Sequence, residues 1–143
     1  MNMSTAKIPL VDRSNYYRGL LVLIGKDRVI DERERSLMLR LGRMLDFDSR
    51  FCEAAIENLL DNKYINDEPV VFGNREIAEC FLRDAVRLAF VDEEIHAHEL
   101  AWLKTIAQAN RVKDEWLDEE VQYFQKKMHS LDQSAPFSIQ QYV

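Results

Sequence analysis

Gly25-Lys26-Asp27-Arg28-Val29-Ile30-Asp31-Glu32-Arg33-Glu34 returns 65 residues later as Phe90-Val91-Asp92-Glu93-Glu94-Ile95-His96-Ala97-His98-Glu99. Asp27, Ile30 and Glu34 keep the spacing of Asp92, Ile95 and Glu99. Each copy lies between two segments whose apolar residues recur at three- and four-residue intervals, so each reads as the turn of a helical hairpin. Sliding residues 17–60 by the same interval lays them on 82–125 without a gap. Arg18 then meets Arg83, Leu23 meets Leu88, Leu41 meets Ile106, Phe51 meets Trp116, and Gly42 meets Ala107. Helical periodicity alone would not repeat three identities of one short motif at the same turn. The expected fold is all-α: one domain of two pseudo-symmetric helical-hairpin repeats, six to seven helices in all.

Residues 15–26 are apolar nearly all round (Tyr16, Tyr17, Leu20 to Ile24), the mark of a buried helix, with Ser14 as its cap. An amphipathic helix is expected over 31–46, with Asp31 and Glu34 in a capping-box pattern. A third helix is expected to start at Asp48 or Ser49 and to bury Phe51, Cys52, Ala55, Ile56, Leu59 and Leu60. Residues 61–73, punctuated by Pro69 and Gly73, form the long connection within the domain. Asn74 caps a fourth helix to about Val91; a fifth spans 97–110, and a sixth starts at Lys113 or Asp114. Residues 1–13 are expected to be a loose N-terminal segment, 14–129 the domain (repeats at about 15–60 and 80–125), and 130–143 a polar tail.

With 4 Gly and 3 Pro, the chain lacks the punctuation of a β-sandwich. A net charge of −6 argues against nucleic acid as a partner, because phosphate binding needs a basic field. Cys52 and Cys80 lie in apolar helical patterns and read as buried reduced thiols. The longest apolar run, Leu20 to Ile24, is far too short to span a membrane, and residues 1–9 hold no secretory signal. The cytoplasm is the expected compartment.

The acidic residues of the turns have two readings. Asp27 and Asp92 can accept backbone N–H groups of the turn, while Glu34 and Glu99 at the third helical position reach back to the N-cap N–H and complement the helix dipole. Alternatively, Asp27, Glu34, Asp92 and Glu99, with Asp31, Glu93 and His96 in second place, supply oxygen and imidazole ligands to Ca²⁺, Mg²⁺, Mn²⁺ or Zn²⁺. An EF-hand is excluded: its first and third ligand positions fall on Leu23 and Gly25, or Leu88 and Phe90, and its glycine falls on Arg28 or Glu93. His96 and His98 stand two apart and would diverge on a helix. No phosphate loop, nucleophile elbow or interpretable Cys/His spacing occurs, so no catalytic residue and no certain cofactor is assigned.

These paired turns, Gly-Lys-Asp-Arg-Val-Ile-Asp-Glu-Arg-Glu and Phe-Val-Asp-Glu-Glu-Ile-His-Ala-His-Glu, resemble those of the TerB family, the tellurite-resistance TerB-like helical domains. The resemblance covers residues 15–128. It implies an all-helical fold with internal pseudo-symmetry and a role in stress responses, including tellurite and metal-ion resistance. It also implies a non-enzymatic module that contacts another protein, with a metal site on Asp27, Glu34, Asp92 and Glu99. The family's glycine after each Asp is replaced by Arg28 and Glu93. Arg28 places a cation beside the first carboxylate, which favours the second turn. Two alternatives stand beside this reading: an interaction scaffold of the co-chaperone accessory kind whose carboxylates only cap helices, and a small carboxylate-metal enzyme. A second copy of the chain is an alternative partner.

Overall fold

Pro9 starts the first helix: its carbonyl accepts the Arg13 N–H at 3.0 Å, and the chain is helical from Leu10 onward. A proline at a helix start loses nothing, since the N–H it lacks has no intrahelical partner there. The computed structural model describes residues 8–25, 30, 32–61, 68–90, 95–127 and 137–142. These form six α-helices: α1 (Leu10–Gly25), α2 (Glu32–Met44), α3 (Ser49–Asp61), α4 (Arg75–Ala89), α5 (Ala97–Ala109) and α6 (Asp114–Lys127). A 3₁₀ turn, Ser138–Tyr142, follows, and no strand occurs among the described residues. None of the described helices is long and apolar enough to cross a membrane. The all-α expectation holds. The start of α1 does not: it lies at Leu10, so Ser14 sits inside the helix and Ile8 is already buried. The apolar run from Tyr16 hid a first turn that has little periodicity of its own.

The chain divides into two compact units, Met1–Glu68 with Gln140–Val143, and Pro69–Ile139. The division falls inside the expected connection. In the first unit α1, α2 and α3 pack pairwise; in the second α4, α5 and α6 do the same. Each helix of the second unit starts 65 residues after its counterpart in the first.

The ends of α2 and α5 match as closely. Asp46 (φ 69°) and Arg111 (φ 61°) adopt the left-handed conformation. In the first unit Phe47 N–H reaches the Gly42 carbonyl at 2.9 Å and Asp46 N–H the Arg43 carbonyl at 3.0 Å. In the second, Val112 N–H reaches Ala107 at 2.8 Å and Arg111 N–H reaches Gln108 at 3.2 Å. Both are Schellman stops, which satisfy carbonyls that the last helical turn leaves open.

The starts are capped locally. Asn74 Oδ1 accepts the Ile77 N–H at 2.8 Å, as expected for an Asn N-cap, and Asp48 Oδ1 accepts the Arg50 N–H at 2.9 Å before α3. Before α4, the buried Asn110 side chain holds the incoming chain. Its Nδ2 donates to Val70 O at 2.8 Å and Ile106 O at 2.9 Å, and its Oδ1 accepts the Phe72 N–H at 2.9 Å. Phe72 then lies 5.2 Å from the Phe81 ring. The sequence offers Val70, Val71 and Phe72 as apolar pins of the connection; Val70 and Phe72 are buried, whereas Val71 is 57% exposed, because alternate residues of an extended segment face opposite sides.

Candidate functional site

The second turn shows what its glutamate does. His96 is the extended N-cap of α5 (φ −79°, ψ 152°), and Glu99 is the third helical residue. Glu99 Oε1 accepts the His96 backbone N–H at 2.9 Å, and the side chain is only 3% exposed. This is the capping reading of the motif, with the carboxylate also facing the positive end of the helix. The imidazoles of His96 and His98 do not diverge. They stack, 5.7 Å between centroids and 6° between planes, because His96 precedes the helix and its extended backbone turns the ring alongside that of His98.

In the first turn, Glu34 is the third residue of α2 and is part-buried. Asp27, Asp31, Asp92 and Glu93 lie outside the described residues. Among the described residues no three His, Cys, Asp or Glu groups come together to hold a metal ion.

Two further features were not legible as sites. The first is a groove of about 300 Å³ in the first unit, lined by Ser14, Tyr17, Arg18, Leu21, Phe47 and Phe51. Its aromatic wall is a ladder: Tyr17 to Phe47 and Phe47 to Phe51, each 5.7 Å between centroids. Phe51 was expected in the core, but it is 55% exposed. Cys52 and Ile56 take the buried face of α3, and Phe51, about 100° round the helix from Cys52, falls on its rim. Tyr17 anchors the ladder from beneath, donating to the Met38 carbonyl at 3.1 Å. Burial, and then the neighbouring Cys52 thiol, push its phenol well above the ordinary range, so it remains a donor.

The second feature is a polar strip on α4. Asp84 is 2% exposed, and its carboxylate accepts Ser138 N–H at 2.6 Å through Oδ1 and Ile139 N–H at 3.2 Å through Oδ2. One turn on, the Arg87 guanidinium lies 4.8 Å from the centre of the Phe137 ring. One turn back, Cys80 Sγ contacts the Ser138 carbonyl at 3.8 Å. Phe137 and Ile139 are buried, so this part of the polar tail docks on the second unit. Cys80 and Cys52 are both buried, and neither is in a disulfide.

No protein-family model, curated protein or solved structure matches this chain. The α4 strip is consumed in holding the chain's own turn. The Glu99 carboxylate is engaged in a cap. The groove of the first unit has open binding surface: apolar area, aromatic walls and a guanidinium in its lining.

Proposed function

We propose that this chain is a non-enzymatic, TerB-like helical module that acts in a stress response, tellurite or metal-ion resistance included, by contacting another protein. The observation that carries the protein-binding part is the exposed aromatic rim of the first unit, with Phe51 at 55% exposure beside a preformed apolar groove. The two Asp-x-x-Ile-x-x-x-Glu turns support the family setting, and the capping geometry of Glu99 supports a structural role for that carboxylate. A photo-crosslinking residue placed at position 51 is the test, with position 123 as control because Tyr123 is equally open at 52%. The expected result is a discrete adduct in living cells from position 51 alone. Identical patterns from both positions, or none, would defeat the reading.

The stacking of His96 and His98 at the start of α5 supports a second reading, a divalent cation at that turn. It would need ligands from the neighbouring acids Asp92 and Glu93. Amide-resolved NMR with Mn²⁺ as a paramagnetic probe decides this. Saturable broadening confined to residues 92–99 and lost in Asp92→Asn favours a cation; diffuse broadening at millimolar metal removes it.

A further inference from the structure

The second unit shows what stands at the groove's counterpart positions. There Arg83 lies over Trp116, with its guanidinium carbon 5.1 Å from the ring centroid. Its Nε donates to Glu120 Oε1 at 3.1 Å. Cation, aromatic face and carboxylate form one closed set. In the first unit Arg18 stands at the position of Arg83 and Phe51 at that of Trp116, but Ala55 stands where Glu120 would be. Arg18 is exposed and bonds Asn15 Oδ1 of its own helix at 3.3 Å. Among the described residues no carboxylate pairs with it. The first unit thus holds two of the three parts, around an open groove.

We infer that the third part comes from a partner protein: a short segment that places an Asp or Glu on Arg18 and an adjacent apolar side chain in the groove against Leu21, Phe47 and Phe51. This rests on the protein-binding reading above and specifies its ligand. The surface continues along α1 from the groove to the exposed Leu10 and Val11, which lie one turn before Ser14. From Leu10 to Leu21 the helix rises roughly 16 Å, enough for about three turns of an amphipathic helix laid alongside. The chain's own residues 1–7 carry Lys7 and no acid, so they have the wrong charge for Arg18.

The test is an unbiased display library of random 12-residue peptides selected on the full chain and counter-selected on the Phe51→Ser variant. The expected winners carry an Asp or Glu next to an aromatic or aliphatic residue. Arg18→Glu should weaken them about tenfold or more, since it sets like charges together, and repeating the selection on Arg18→Glu should switch the enrichment from acidic to basic. Both side chains are exposed, so both variants should keep the wild-type thermal midpoint; Phe51→Ala and Arg18→Gln replace any that does not. Winners that depend on Phe51 but show no acidic preference overturn this inference and leave the protein-binding reading standing. No Phe51-dependent winners would remove both. A concentration-dependent dimer that Arg18→Glu abolishes would make the occupant a second copy of the chain and overturn the partner assigned here.

Discussion

The two units are built on one helix plan and finish their surfaces in opposite ways. In the second, Arg83 is seated on Trp116 and held by Glu120, and Asp84 holds Ser138 and Ile139. In the first, Ala55 stands at the position of Glu120 and Gly19 at that of Asp84. The backbone devices are shared down to the left-handed residue that stops α2 and α5. What differs is whether a few side chains satisfy one another or leave a groove. The scaffold is thus compatible with either outcome, and the difference lies in substitutions at a handful of positions.

The largest expected effect breaks the closed side. Asp84→Ala leaves two backbone N–H groups without their acceptor, so urea unfolding should show a loss of about 2–3 kcal/mol. Amide exchange at Ser138 and Ile139 should accelerate. A loss below about 0.5 kcal/mol would mean that Phe137 and Ile139 hold the turn by apolar contact and that the carboxylate adds nothing.

Gly42→Ala comes next and tests the close approach of α2 to α3 in the first unit. A Cβ there would collide with Cys52 Sγ and come within 3.3 Å of Tyr17 Cε1. Helix propensity would favour alanine by about 1 kcal/mol, but a direct collision in a tight interior puts the overpacking cost at the upper end of its range, about 2–3, so the expected net loss is about 1–2 kcal/mol. The second unit already has alanine at this position, and Ala107→Gly should cost about 1 kcal/mol through propensity and about 0.8 more through the lost burial of its methyl. Cys52→Ala should restore most of the Gly42→Ala loss by making room, a coupling that a double-mutant cycle measures. Independent, additive effects would show that the collision is relieved elsewhere.

Tyr17→Phe removes the hydrogen bond to Met38 beneath the aromatic ladder and should cost about 1 kcal/mol at neutral pH. The folded phenol is held protonated above its unfolded value of about 10, so its contribution is complete below that value and is lost as pH rises past it. Wild-type stability should therefore fall more steeply than that of Tyr17→Phe from about pH 10 upward, in urea titrations at stepped pH. Parallel curves would mean that the phenol ionises as readily in the folded chain as in the unfolded one.

How much of this was legible in the sequence depended on how far each residue sits from its partner. Asn74 and Glu99 were readable as caps because their acceptor atoms serve N–H groups three residues away. The six helices were readable because apolar spacing is itself local. Asp84 was not, since the groups it holds lie 54 and 55 residues further along the chain. Phe51 was misplaced because periodicity separates the two sides of a helix but does not separate core from rim. The groove left one trace that sequence reasoning could have used: aligned on Arg83, Trp116 and Glu120, the first repeat has Arg18 and Phe51 but Ala55.

The smallest expected effect concerns the turn motif itself. Glu99 is almost fully buried and bonds the His96 N–H, whereas Glu34 at the same position of α2 is only part-buried. Glutamine keeps an acceptor oxygen but removes the charge facing the helix start. Glu99→Gln should therefore cost about 0.5–1 kcal/mol, and Glu34→Gln less, since solvent screens the charge there more fully. If capping is the whole role, both losses are the same in EDTA and in millimolar Ca²⁺, Mn²⁺ or Zn²⁺. A ligand that binds only the folded chain adds stability in proportion to the logarithm of its concentration. Metal that stabilises the wild type in this way, but not Glu99→Gln, would turn the second turn from a cap into a cation site and set it apart from the first.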